Sequence, residues 1–354
     1  MRTWAIVLSS AGLLLLAAAP AQDQPSPPQD LPTFRVDVDV VNIIATVRDK
    51  DGRLIPDLKK EDFNVLEDGK EQPIRYFRRE TDLPLTIGML VDTSGSQWDL
   101  IGTERIAART FFYQVVGKED KAFLVSFDSD SALLQDFTSS PRQLTKALEK
   151  LVAQPTFGIY SGAAGVKLGQ PASNLPPNTD PGSNPAGCYQ LSTVSNARGT
   201  VLHEAVYLAA GEKLRRQPGR KMLIILTDGV DQGSRLKIDV AVQAALRADA
   251  AVYSIQYYDP NIYCDSSVDG LGNATLHKLS DVTGGHVYKV ERKNSLEMIF
   301  SQIQDEMRNQ YAIGFTPLNN LRDGSYRRLE VKVANANLSV PARQGYYAVM
   351  PDAR

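Results

Sequence analysis

The sequence predicts an α/β protein: a doubly wound, mostly parallel sheet inserted into a β-sandwich that the N- and C-terminal flanks build together. Three observations lead there. Between residues 82 and 309, short apolar runs alternate with helical patterns, the rhythm of a parallel sheet with helices on both faces. Residues 34 to 81 carry strand and turn signals without a helix, and about 45 residues of strand do not build a core of their own. Residues 310 to 350 are strand-like again and supply the partners that the first flank lacks.

The chain opens with Arg2, an apolar run over 4–16 and Ala19-Pro20-Ala21, the pattern of a secretory signal spanning 1–21. No stretch approaches ~20 uninterrupted apolar residues. The mature chain is therefore expected to be exported, periplasmic or extracellular, with no membrane span. Residues 22–33 hold four prolines and no apolar period, as an extended linker does. Strands are predicted over 36–40, 63–67 and 74–77, with turns at Lys50-Asp51-Gly52 and Asp68-Gly69-Lys70.

In the central region, 101–116 is predicted helical, with Ile106, Phe111, Phe112 and Val115 packing inward. Residues 122–127 form a strand and 132–136 a short edge strand. A helix over 141–151 has Pro141 in its first turn and Leu144, Leu148 and Leu151 inward. Helices over 200–216, 236–247 and 295–308 and strands over 251–257 and 286–290 follow, and Gly284-Gly285 closes a further helix. In the last flank, strands are expected over 310–315, over 326–334 with Leu329, Val331 and Val333 on one face, and over 338–340 and 346–349.

The formal net charge of −2 gives no nucleic-acid footprint. Cys188 and Cys264 are the only cysteines; an even pair in an exported chain favours a disulfide, with two separate thiols as the alternative. Residues 154–198 are rich in Pro, Gly, Asn and Ser. A loop of that length is uncommon unless functional or disordered, and its place before Thr200 suits a role in partner specificity.

The chemistry concentrates where the apolar strand over 85–91 ends. Asp92, Ser94 and Ser96 set a carboxylate and two hydroxyls at D-x-S-x-S spacing, oxygen donors that suit a small hard cation keeping several waters. A turn capping the next helix is the plainer reading. Two more segments bear on it: Thr200 opens a helical pattern, and a second buried strand, 221–227, runs into Asp228. Open parallel sheets bind ligands beyond the carboxyl ends of their strands, so all three segments converge on one edge.

These segments resemble the von Willebrand factor type A domain and its metal-ion-dependent adhesion site. The resemblance implies that Asp92, Ser94, Ser96, Thr200 and Asp228 hold Mg²⁺, with Mn²⁺ as an alternative. It implies that the two serines bind directly, that the threonine joins in one state and that the aspartates act mostly through water. A partner carboxylate then completes the shell. A second likeness, over about 36–348, is to bacterial VWFA-related proteins, on Asp49-Lys50-Asp51-Gly52, Asp57-Leu58, Asp62-Phe63-Asn64-Val65 and Glu67-Asp68-Gly69. The inserted arrangement is similar to that of integrin β subunits.

Hydrolytic chemistry lacks its parts. The three histidines are His203, near the Thr200 helix start, and His277 and His286, which have no matching acids in the pattern. No metalloprotease, P-loop or dinucleotide motif is present. Asp99 and Asp231 are expected to be solvated loop charges, and Trp98, Tyr257, Tyr258 and Tyr263 either to line a binding rim or to cover the top of the sheet. The expectation is an exported, non-enzymatic adhesion or protein-binding module that ligates an Asp or Glu carboxylate on a protein partner, with movement of the 295–308 helix coupled to binding. The alternative is a structural scaffold of a cell-envelope complex with a stabilising metal.

Overall fold

The computed structural model describes residues 40–80, 83–97, 99–153, 199–258 and 267–348. The signal expected over 1–21, the linker expected over 22–33, residues 154–198 with Cys188, and Cys264, Trp98 and Tyr263 lie outside the described residues.

At the centre is a six-stranded sheet. Strands β5 (Leu85–Asp92), β6 (Lys121–Phe127), β8 (Arg220–Thr227), β9 (Ala250–Gln256) and β10 (Val287–Lys289) run parallel, and β7 (Ser131–Thr138) closes one edge antiparallel to β6, in the order β10-β9-β8-β5-β6-β7. The apolar runs of the inner strands reflect burial on both faces. Ile87, Met89 and Val91 of β5 and Met222, Ile224 and Leu226 of β8 point into one layer with helices α1 (Ile101–Val115), α2 (Pro141–Leu148) and α6 (Leu296–Arg308). Leu90, Leu223 and Ile225 point into the other, with α3 (Leu202–Tyr207), α4 (Ile238–Ala248) and α5 (Ser267–Thr283). This is the doubly wound α/β architecture expected from the sequence.

Local signals set most boundaries. Ser140 caps α2 through Gln143 N at 3.4 Å with Pro141 next, and Ser295 caps α6 through Met298 N at 3.4 Å. Gly284 takes φ +85° after α5, and Asp68 and Gly69, with φ of 48° and 79°, turn β2 (Phe63–Glu67) into β3 (Lys70–Gln72).

Three expectations change. Ile106 is 58% exposed, and Glu104 takes the inward place on α1 beside Ala107, Ala108 and Phe111. The helix expected over 200–216 is α3 followed by a π-helical stretch, Leu208–Leu214, which keeps Ala209, Ala210 and Leu214 buried. No strand forms over 338–340; Ser339 makes an isolated bridge to Arg48. Of the strand expected over 36–40, residues 36–39 lie outside the described residues; β1 runs over Val41–Ala45.

Each flank contributes to two small sheets. One has the order β1-β11-β4, from β1, β11 (Gln310–Phe315) and β4 (Ile74–Glu80); the other has β13-β12-β2-β3, with β12 at Tyr326–Val333 and β13 at Gly345–Tyr347. One apolar cluster serves both sheets: Ile43, Tyr311, Ile313 and Phe315 with Phe63, Val65 and Leu329. Phe63, Phe77 and Tyr311 meet at centroid distances of 5.0–5.7 Å, each ring contributing area and a favourable tilted contact. Tyr311 Oη donates to Ile55 O at 2.7 Å.

A buried carboxylate, Glu306 on α6, fastens this helix. It accepts from Thr46 Oγ1 at 2.9 Å, Arg48 Nη2 at 2.5 Å, Tyr253 Oη at 3.1 Å and Tyr288 Oη at 2.9 Å. Thr46 and Arg48 follow β1, so the first flank and the last helix of the central layer share one polar knot.

Candidate metal centre

β5 and β8 are adjacent and in register, with Val91 opposite Leu226, so the residues that end both strands meet at one edge. Thr227 Oγ1 donates to Asp92 Oδ2 at 2.5 Å, and Ser94 N donates to Asp92 Oδ1 at 2.9 Å. Above them, Ser94 Oγ and Ser96 Oγ are 3.1 Å apart and Ser96 Oγ donates to Asp228 Oδ2 at 2.7 Å. A 3-10 turn over Gly95–Gln97 curls the chain so that both serines face the same way. Four of the five predicted residues, Asp92, Ser94, Ser96 and Asp228, are thus joined in one hydrogen-bonded cluster.

Thr200 is close by chain path. Its carbonyl accepts from Gln232 N and Gly233 N, both at 3.0 Å, so its segment is pinned to the loop that leaves Asp228, and Val201 N donates to Asp128 O at 2.8 Å beyond β6. Among the described residues, no hydrogen bond joins the Thr200 hydroxyl to the other four.

Charge in the cluster is one-sided. Asp92 is fully buried, and burial first, then the Asp228 charge, push its carboxyl up to about 7 against the bonds from Ser94 and Thr227. Adjacent ligands of an octahedral Mg²⁺ lie about 2.9 Å apart, and the oxygen pairs at 3.1 and 2.7 Å bracket that spacing. The donor set is all oxygen, with two hydroxyls and two carboxylates. These residues fit a hard divalent cation. Among the described residues, no group of three or more His, Cys, Asp and Glu side chains is arranged for a metal, so any metal here depends on the hydroxyls.

Several participants escaped the sequence reading. Gln97, 1% exposed, donates through Nε2 to Asp228 Oδ2 at 3.3 Å and to Tyr257 O at 3.3 Å. Thr227 orients Asp92, and Glu104 lies buried behind the cluster, its carboxyl raised well above the ordinary range by burial first, then by Asp92 and Asp228. Asp231 is a correction: instead of a solvated charge, it accepts from Ser234 Oγ at 2.6 Å and His203 N at 3.2 Å, with a side chain 12% exposed. Its loop is thereby braced beside Asp228. His277 also has an acid, Asp281 at 3.0 Å on the same helix. Neither His203 nor His277 hydrogen-bonds through its ring to a serine hydroxyl among the described residues.

Two glycines let α5 press on the Asp228 loop. Gly229 has φ +87°, and a Cβ there would stand 2.5 Å from Gly272 O; a Cβ on Gly272 would collide with Asp228 O. Gly272→Ala is therefore expected to displace the Asp228 loop, costing about 1–3 kcal/mol by overpacking and most of any divalent-ion affinity. Thermal melts and metal calorimetry on the variant check both, and wild-type values would refute the close approach.

No family model and no curated protein matches the sequence. Solved structures to which the chain is similar include BatB from Bacteroides thetaiotaomicron, at 16% identity, covering 63% of this chain and 98% of that one with a TM-score of 0.40. They also include the proximal thread matrix protein 1 of the mussel byssus with a zinc-occupied MIDAS motif, at 11% identity, 68% and 49% coverage and a TM-score of 0.43. A third is the vWF domain of the type V pili tip protein Mfa5 from Porphyromonas gingivalis, at 10% identity, 63% and 94% coverage and a TM-score of 0.40. Von Willebrand factor type A domains are thus among the structures this chain is similar to, and identities and TM-scores this low carry no function across to it.

Proposed function

We propose that this chain is an exported, metal-dependent protein-binding module, with Asp92, Ser94, Ser96, Thr200 and Asp228 holding Mg²⁺, or Mn²⁺ in its place, to ligate a carboxylate of a protein partner. The observation that carries this reading is the Ser94–Ser96–Asp228 oxygen chain above a buried Asp92, at the C-terminal edge of two neighbouring parallel strands. A bound cation would polarise a partner's Asp or Glu oxygen by direct attraction. The serines contribute neutral oxygens, which leaves the cation an appetite for an anionic ligand. Asp92 and Asp228 orient those hydroxyls from behind. The mechanism is ligation, with no bond broken.

The same proposal divides the chain at 1–21, 22–33, 34–81, 82–309 and 310–350, with the central domain inserted into a flank-built sandwich. The apolar cluster common to both small sheets supports this division. Among the described residues, no helix is long and apolar enough to cross a membrane. The Cys188–Cys264 disulfide and the role of the 154–198 loop in specificity belong to the proposal as well.

A stabilising metal in an envelope scaffold is the second reading. The concentration of buried acid at Asp92, Asp228 and Glu104 favours it, since a cation there would offset their repulsion. Acetate separates the two readings. With Mn²⁺-loaded protein, the relaxation of acetate protons is expected to be enhanced beyond that of Mn²⁺ alone, and the enhancement to vanish in Ser96→Ala. Mn²⁺ binding that raises the melting temperature without any effect on acetate would favour the scaffold and overturn the adhesion reading.

A further inference from the structure

Glu104 sits in the first turn of α1, wholly buried, and among the described residues neither carboxyl oxygen has a hydrogen-bond partner. Gln97 Oε1, also buried, lacks a donor as well. Three buried acceptor oxygens beside the Asp92–Asp228 cluster therefore have no donor among the described residues. The charges that act on Glu104 are those of Asp92 and Asp228, both acids. The rest of this face of α1 is Ile101, Ala107, Ala108, Phe111 and Phe112, in the apolar cluster with residues of β5 and β6. An acid placed there, short of donors and next to two more acids, is destabilising in the metal-free fold. A divalent cation over the cluster reverses the sign of that interaction, because it favours the ionised form of each carboxyl, and all three then attract it.

We propose that Glu104 is a positioning residue for the cation: a third, buried carboxylate that touches neither metal nor partner and sets the negative potential holding a divalent ion at Asp92, Ser94, Ser96 and Asp228. This inference rests on the metal reading above. It assigns Glu104 a cost in the empty site and a gain in the filled one, so removing its charge moves stability and metal affinity in opposite directions. A side chain that merely packs would move both the same way or neither.

The test is Glu104→Gln, which keeps the shape and removes the charge, with Glu104→Met as a second variant of similar size should the amide fold poorly. Mg²⁺ and Mn²⁺ are titrated by calorimetry into each protein, and melts are recorded in chelator and in saturating Mg²⁺. Loss of an outer partner of a metal site costs about 10- to 100-fold in affinity, and that loss is expected here together with a higher melting temperature in chelator. Wild-type and variant affinities within about twofold, well under that range, would overturn the assignment and leave Glu104 a core residue only. If wild type itself binds neither ion, the metal reading fails first and this one with it; if wild type binds and the variants bind equally, this one alone fails.

Discussion

Glu306→Ala is expected to destabilise the protein by about 3–5 kcal/mol, the cost of removing one partner from a buried ion pair. Glu306 is fully buried and Arg48, whose side chain is 15% exposed, donates to it at 2.5 Å. Without the carboxylate, the guanidinium, the Thr46 hydroxyl and the two phenols of Tyr253 and Tyr288 lose their common acceptor inside the protein. Burial, the first cause that raises both phenols, persists in the variant and opposes their ionising to compensate Arg48. Glu306→Gln retains one acceptor and should lose less. Urea unfolding measures both, and a loss under about 1 kcal/mol for alanine, the scale of an exposed pair, would show that the knot is peripheral. The same bonds hold α6 to the segment after β1, which bears on the expected ligand-coupled movement of this helix: displacement would have to break four hydrogen bonds to one carboxylate.

The second large effect is an inverted pH dependence in the metal-free protein. The Asp92 carboxyl, pushed up to about 7 by burial and then by Asp228, keeps its proton in the fold at pH values where the unfolded chain has released it. Across the window from about 4 to 7, the native state binds more protons than the unfolded state, so stability is greatest at the acid end and falls as pH rises. Glu104 acts in the same direction. In chelator, melting temperature is expected to drop between about pH 5 and about pH 7.5, Asp92→Asn to flatten that drop, and Mg²⁺ to restore more stability at the upper pH than at the lower. A melting temperature that rises through this window in chelator would contradict the buried setting of these acids beside Asp228.

Much of the fold was legible because burial on two faces writes itself as continuous apolar runs, as in Leu85–Asp92 and Arg220–Thr227, and because turns demand particular residues, as Asp68-Gly69 does. The candidate site was legible as far as its short-range motif: Asp92 ends β5, Ser94 and Ser96 lie in the loop that follows, and Asp228 comes directly after the neighbouring strand β8. What escaped depends on facing rather than type. The α1 face defined by Ile101, Ala108 and Phe111 also contains position 104 and excludes 106, so the periodicity was present; a glutamate was passed over there because acids rarely face a core. Gln97 and Thr227 act through partners more than 130 positions away, or in an adjacent strand, contacts that no local pattern encodes. The π-helical turn over Leu208–Leu214 has no residue signature, and the 338–340 run is too short to pair beyond one bridge. Asp231 resembled a surface charge because its partners, His203 and Ser234, become neighbours only when the loop after β8 folds onto α3.

The most direct test of the metal centre is calorimetric titration of Mg²⁺ into the protein from residue 22 onward, beside Ser94→Ala and Asp228→Ala. The arrangement of Ser94, Ser96 and Asp228 predicts one-to-one binding by wild type and its loss in both variants, each still folded by thermal melt. Equal binding in all three, or none in wild type, would contradict a cation held by these oxygens.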